Sequence, residues 1–287
     1  MKANQHEQIQ MIVSDLDGTL LGNNSKVPPE NALALQKAAA RGLVIAIASG
    51  RLPAVCSRIA LEAGLSDCRI IGMNGAQIWE KPFGNPIFEV PYPRLLAEKI
   101  VEILQEERCI YNAYTADGVF SNRRVDRQGE EYFREHFANA GVHVIIGECA
   151  GRQALDEPIF KFLVKSSELP GGYDRARERI SVLPGIWLTA SAKDNFEVMQ
   201  EGVGKADAIR KLAECCGIAM ENIMAFGDYD NDLEMLNACG HAVAMGNASP
   251  SAKAAAQYIT TDHLSGGVGA AVTAFLDGHL DTLKKKT

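Results

Sequence analysis

Short apolar runs that stop abruptly in Ser, Gly, Asp or Asn recur along this chain, and segments that read as capped helices separate them. Met11-Ile12-Val13 runs into Ser14, Asp15 and Asp17, Leu43 to Ala48 into Ser49-Gly50-Arg51, and Arg69 to Met73 into Asn74-Gly75. Between the first two, Val27-Pro28-Pro29-Glu30 predicts a helix start and Gly42 its end; between the next two, a helix from about Pro53 to Ala63 is closed by Gly64. An apolar run bounded by turn residues is a buried strand. Strand and helix in alternation predict a parallel sheet with helices packed on it.

The texture changes at about residue 84. Gly84-Asn85-Pro86 and Pro91-Tyr92-Pro93 are breakers, and Leu96, Ile100, Ile103 and Leu104 then recur at helical spacing. Shorter segments follow, including a charged helix around Gly129 to Ala138. Phe160, Phe162 and Val164 alternate with Lys161, Leu163 and Lys165, which predicts a strand with one partly exposed face. Parallel-sheet texture resumes with Phe196 to Met199, a helix from Lys205 to Cys216, the run Asn222 to Gly227 ending in Asp228 to Asp232, and His241 to Met245. The expectation is an α/β fold: a doubly wound, mostly parallel, Rossmann-like core from 1–84 and 193–287, with an α+β domain inserted at 85–192.

Composition narrows the function. A net charge of −7 supplies no basic field for nucleic acid or an anionic membrane. Lys284-Lys285-Lys286 reads as a solvated terminus. Seven cysteines without C-x-x-C spacing argue against a disulfide framework or zinc ribbon and for reduced thiols. Met1 to Gln10 is polar, and no stretch approaches the roughly 20 apolar residues of a membrane helix. A soluble, cytoplasmic protein is expected, with no protein partner implied.

Four polar clusters stand where predicted elements meet loops: Asp15 with Asp17, Ser49, Lys205, and Asp228 to Asp232. If Asp15 and Asp17 are both extended, their side chains point to the same side and share a cation or a proton. Hard carboxylate oxygens in small number suit Mg²⁺, and a lysine with a hydroxyl suits a phosphoryl group. Lys205 at its helix start adds backbone N–H groups and the positive end of the dipole. Calcium loops fail on spacing. Leu20 and Lys26 stand where a loop from Asp15 needs Gly and Glu, and Leu233 and Cys239 where one from Asp228 does. No P-loop sequence occurs.

Asp15-Leu16-Asp17-Gly18-Thr19, Ser49-Gly50-Arg51, Gly202-Val203-Gly204-Lys205 and Gly227-Asp228-Tyr229-Asp230-Asn231-Asp232 resemble, in order, the four motifs of the haloacid dehalogenase (HAD) superfamily. The insertion between the second and third, with Asn74-Gly75-Ala76 before it and Ala244 to Ala248 near the end, resembles the Cof-type, subclass IIB branch. Ser49 stands where that branch more often has Thr, and Gly204 and Ala206 flank the lysine where Ser and Gly are frequent. The resemblance implies a Mg²⁺-dependent phosphatase acting through a phospho-aspartate. Asp15 would be the nucleophile and Asp17 the general acid/base. Ser49, Gly50, Lys205 and Asn231 would bind phosphate. Asp15, Asp17 (through its carbonyl) and Asp228 would hold the metal, with Asp232 behind them, and the insert would be a cap that sets specificity. Small phosphorylated metabolites are implied as substrates: sugar phosphates, or cofactor phosphates such as FMN or pyridoxal phosphate.

Each motif also has a plainer reading. Asp17-Gly18 forms turns, Ser49 can cap a helix, and Arg51 is open between a substrate contact and a structural ion pair. His241, Trp79 and Trp187 read as packing residues. Two rival functions remain: a phosphotransferase or phosphomutase using the same aspartate, and a non-enzymatic phospho-accepting regulator.

Overall fold

The computed structural model describes residues 9–123, 131, 134, 137, 140–190 and 194–283. The charged helix expected around 129–138 falls mostly outside the described residues. Among those described, the strands form two sheets. The larger has the order β14 (Tyr258–Ile259), β13 (His241–Ala244), β12 (Ile223–Gly227), β1 (Met11–Ser14), β2 (Val44–Ala48), β3 (Arg69–Gly72), β4 (Gln77–Trp79), β5 (Pro86–Glu89). Pairing is parallel from β14 to β3, and β4 then pairs antiparallel with both β3 and the edge strand β5.

Period-two alternation on the buried strands feeds two layers of helix. Ile12, Ile45, Ile47, Met224 and Phe226 pack with the helices Pro29–Ala40 and Pro53–Glu62 on one face. Met11, Val13, Ala46, Ala48 and Ala225 meet the helices Lys205–Cys216 and Leu233–Ala238 on the other. Each fully buried Ile or Phe contributes about 1.5–3 kcal/mol, so this core can hold charged groups at its rim against their desolvation. The fold is the α/β, doubly wound, mostly parallel arrangement that the sequence predicts. The helix Gly267–Leu276 was not anticipated; it packs beside Pro29–Ala40. Buried Asn31 donates to the Leu20 carbonyl at 3.1 Å and accepts from the Gly269 N–H at 2.7 Å, tying the turn after Asp15 to that helix.

The smaller sheet has the order β10 (Ile186–Thr189), β11 (Phe196–Gln200), β9 (Lys161–Ser167), β6 (Cys109–Tyr114), β7 (Gly118–Ser121), β8 (His143–Ile146), antiparallel except between β7 and β8. The helices Arg94–Glu106 and Gly172–Ser181 cover one face. Tyr114, Phe160 and Met199 join the core of the larger body. Two strands sit elsewhere than their texture suggests. β5 pairs in the larger sheet, where Pro86 is tolerated because the strand is an edge. β11 lies in the smaller sheet, not the parallel one: Phe196 and Val198 enter its core, and Glu197 and Met199 turn toward the larger body. Burial on both faces made it look like a parallel strand.

All seven cysteines are free thiols. Burial pushes Cys56, Cys109 and Cys239 up to about 12, which leaves them protonated and unsuited to nucleophilic work. Among the described residues no helix is long and apolar enough to cross a membrane.

Candidate active site

The sheet order sets the carboxyl ends of β12, β1 and β2 side by side, at the point where the chain's winding reverses and open α/β sheets bind ligands. Asp228, Asp15 and Ser49 are the first residues beyond those ends. After Asp15 the chain kinks through Leu16–Leu20, with Gly18 at φ 78°. A side chain on Gly18 would collide with the Asp228 carboxylate, so glycine is required for both conformation and space. Thr19 donates its hydroxyl to Asp228 Oδ1 at 2.8 Å, and Asn247 donates to the Gly18 carbonyl at 2.8 Å.

Lys205 is the first residue of its helix and is buried. Its Nζ lies 2.6 Å from Asp15 Oδ1 and 2.7 Å from Asp232 Oδ1. Gly75, at φ 108°, packs so tightly under the Gly204 carbonyl that any side chain there would clash, which explains Asn74-Gly75 as the seat for the lysine's helix. Asp232 is divided between two duties. Its Oδ1 takes the lysine, and its Oδ2 accepts from the N–H groups of Asp228 at 2.9 Å and Tyr229 at 3.3 Å.

Carboxylate oxygens of Asp15, Asp228 and Asp232 lie within 4.8 Å of one another. Burial lifts Asp15 well above the usual carboxylate range; Lys205 pulls it back, and Asp232, Asp17 and Asp228 push it further up. Burial also lifts Asp228 to about 6, against the Thr19 hydroxyl, which favours its charged form. For Lys205 burial opposes the charge, but Asp15 and Asp232 outweigh it and raise its pKa. Three acids and one ammonium leave this cluster with excess negative charge. Hard oxygen donors at such spacing fit a small divalent cation, which would relieve that charge.

Asp17 behaves differently from Asp15. The strand has ended, so period two no longer applies: Lys205 stands against Asp15, and Arg51 against Asp17. Asp17 is exposed and gripped by Arg51 in a two-pronged fork, Nε to Oδ2 at 2.8 Å and Nη2 to Oδ1 at 2.5 Å. Arg51 thus forms an ion pair that holds an acid at the rim of the site, and it also lines the cavity, so a substrate contact stays open. Burial lowers the Arg51 pKa, and the hydrogen bond to Asp17, the charge of Asp17 and smaller contributions from Cys56 and Asp15 together raise it above the usual value.

Ser49 is buried; its Oγ accepts from the Arg51 N–H at 3.2 Å and stands within hydrogen-bond reach of the Cys56 thiol. A cavity of about 430 Å³ opens over these strand ends, within the range of small-molecule sites. Asp15, Asp17, Ser49, Gly50, Asp228 and Asn231 line it from the larger body, and Tyr114, Lys161, Leu163, Lys165 and Glu197 from the smaller sheet. The structure thus brings Asp15, Asp228, Asp232 and Lys205 into contact. Ser49, Gly50, Asn231 and Asp17 stand around the same cavity, Asp17 with its carboxylate outside the acidic cluster. Sequence reasoning missed Lys161 and Glu197. The face of β9 that carries Lys161, Leu163 and Lys165 is partly exposed as expected, with Lys165 in solvent, but its Lys161 end is buried. The alternation around Lys161 showed two faces but not what covers each.

The model of the haloacid dehalogenase-like hydrolases matches residues 12–272 of this chain. The chain belongs to that family, and its Cof-type, subclass IIB resemblance agrees with where the smaller sheet is inserted. It is 29% identical over 264 residues to the 5-amino-6-(5-phospho-D-ribitylamino)uracil phosphatase YcsE of Bacillus subtilis (strain 168), covering 92% of this chain and 94% of that protein. It is also 29% identical over 239 residues to an HMP-PP phosphatase of Yersinia pseudotuberculosis (serotype I, strain IP32953), covering 83% and 84%. A solved haloacid dehalogenase-like hydrolase from B. subtilis superposes with a TM-score of 0.79 at 26% identity, covering 92% of this chain and 99% of that one. The protein is an enzyme of phosphatase type, and the regulator reading is set aside.

Proposed function

We propose that the protein is a Mg²⁺-dependent phosphatase of small phosphorylated metabolites, acting through a phosphoryl group carried on Asp15. One observation supports this most: a buried carboxylate at the end of the central strand, with an ammonium 2.6 Å away, opens onto a cavity that the Ser49 hydroxyl also lines. Asp15 attacks phosphorus, and the leaving oxygen takes a proton from Asp17. Asp17, held at the solvent-facing rim by Arg51, then removes a proton from the water that releases phosphate from Asp15. Lys205 offsets the charge of both carboxylate and phosphate, and the Ser49 hydroxyl, the Gly50 N–H and Asn231 hold the phosphate oxygens. Asp15, the Asp17 carbonyl and Asp228 would hold Mg²⁺, with Asp232 fixing their arrangement through Lys205 and the Asp228 N–H. The bound ion supplies charge neutralisation and phosphoryl polarisation.

The segment from Arg94 to Gln200, which carries the smaller sheet and its helices, would serve as a specificity cap. Two curated relatives, by name, act on phosphorylated ribitylaminouracil and on HMP-PP. A substrate of that size, a phosphorylated sugar or cofactor, suits the cavity here. Hydrolysis of p-nitrophenyl phosphate with Mg²⁺, giving free phosphate and no transfer to a second sugar, tests the activity, and a metabolite panel ranked by kcat/KM would assign the substrate. No turnover on either would overturn the reading.

The metal assignment has its own test, independent of turnover. Saturating Mg²⁺ is expected to raise the melting temperature of the wild type, by a linkage of about 2.7 kcal/mol at a hundredfold excess over Kd. Asp228→Ala is expected to lose most of that shift. An equal shift in the variant would remove Asp228 from the metal site.

A further inference from the structure

We infer that Lys161 and Glu197, both carried by the smaller sheet, are positioning residues for the phosphate-binding turn Ser49-Gly50-Arg51. The inference rests on the proposed phosphatase reading of that turn. Lys161 is 3% exposed and Glu197 1% exposed, a depth at which a charge persists only for a reason. Lys161 Nζ donates to Glu197 Oε1 at 2.7 Å and to the Gly50 carbonyl at 2.9 Å, crossing from β9 to the loop after β2. It also lies over the Tyr114 ring, 5.5 Å from the centroid. The second Glu197 oxygen accepts from the side-chain amide of Asn74, a buried residue at φ 55°.

These contacts fix both peptide planes that flank Gly50. In a trans peptide the carbonyl and the N–H point in opposite directions, so holding one aims the other. Lys161 holds the Gly50 carbonyl, and the Arg51 N–H of the same plane is thereby aimed at Ser49 Oγ, which it meets at 3.2 Å. That bond occupies one hydroxyl lone pair, and the proton can turn between the Cys56 sulfur and the cavity. The Asn74 N–H holds the Ser49 carbonyl at 2.9 Å, which aims the Gly50 N–H the other way. Among the described residues that N–H has no hydrogen-bond acceptor of its own. Glu197 is the common anchor, because it grips both Lys161 and Asn74. A Cβ on Gly50 would sit 3.0 Å from Asn74 Oδ1 and 3.1 Å from Lys161 Nζ, so the turn and its supports are fitted closely. The smaller sheet therefore does more than cover the cavity. It sets the two donors that would receive phosphate.

The single change Lys161→Met strands a buried carboxylate and risks the fold. The informative variant is the charge-balanced pair Lys161→Met with Glu197→Gln, which keeps an acceptor for Asn74 and frees only the Gly50 carbonyl. With p-nitrophenyl phosphate as substrate and inorganic phosphate as competitive inhibitor, kcat/KM is expected to fall about 10²-fold, the scale of a misplaced binding group. The Ki of phosphate should rise at least about tenfold, about 1.4 kcal/mol, while the Mg²⁺-induced melting shift stays at the wild-type value. Lys161→Arg, which keeps a charged donor, is expected to recover most of the loss. Wild-type kinetics and Ki in the double variant would overturn the positioning role, as would a loss that Lys161→Arg shares in full. Should Ser49→Ala also leave the phosphate Ki untouched, it is the reading of the turn itself that fails.

Discussion

Asp15→Asn is expected to abolish turnover, by about 10⁴-fold or more as for other removed nucleophiles, and to leave no phosphoenzyme in acid-quenched samples. The fold should survive. Asp15 carries a pKa raised by burial, and an acid raised in the folded state opposes folding once the pH exceeds its unfolded value. Replacing it with a neutral amide removes that penalty, and Lys205 retains Asp232 as its partner. Melting temperature at neutral pH should therefore be equal or slightly higher, so lost activity cannot be blamed on unfolding. Asp17→Asn is expected to differ in kind. The Arg51 fork holds Asp17 outside the acidic cluster, so an activated substrate such as p-nitrophenyl phosphate should still phosphorylate Asp15 in this variant. Hydrolysis of the intermediate should be slow enough for it to accumulate. If Asp17→Asn shows no more phosphoenzyme than Asp15→Asn, the division of labour between the two acids is wrong.

Lys205→Met is expected to damage stability as well as chemistry. It leaves Asp15 and Asp232 buried without their counter-charge, at a cost of about 3–5 kcal/mol, or roughly 10 °C in melting temperature. The sign with pH follows from the direction of each shift. The lysine pKa is raised in the folded state, so its stabilisation is complete below the ordinary lysine value and is lost only as pH climbs through the folded one. Across the neutral range the wild type keeps all of it. In the variant, the stranded Asp15 takes up a proton more readily, so the deficit should shrink as pH falls. A deficit that grew toward acid pH would mean that the lysine is not the group that holds these carboxylates in place.

The larger body was legible because parallel strands advertise themselves. Met11 to Val13, Leu43 to Ala48 and Ile223 to Gly227 are apolar on both faces and stop at polar residues, so both the strands and the rim that carries Asp15, Ser49 and Asp228 could be read off directly. Lys205 was found because helix starts have a local signature. What the sequence withheld was partnership across space. Arg51 on Asp17, Asn31 on the turn after Asp15, and Glu197 on Asn74 join residues that no local pattern connects. β11 was misplaced for the same reason: its alternation shows that both faces are covered without telling which body covers them.

The position of β1 has a consequence for how the molecule is made. One neighbour, β2, leaves the ribosome soon after it, but the other, β12, follows only after the whole smaller sheet. Thr19 waits 209 residues for Asp228, and Asp15 waits 190 for Lys205. Until then the nascent chain carries an apolar strand with one open edge, the kind of edge that recruits other chains. The half-built sheet would carry Asp15 without the ammonium of Lys205 that pairs with it. The buried ion pair and completion of the sheet thus arrive together, with the last third of the chain.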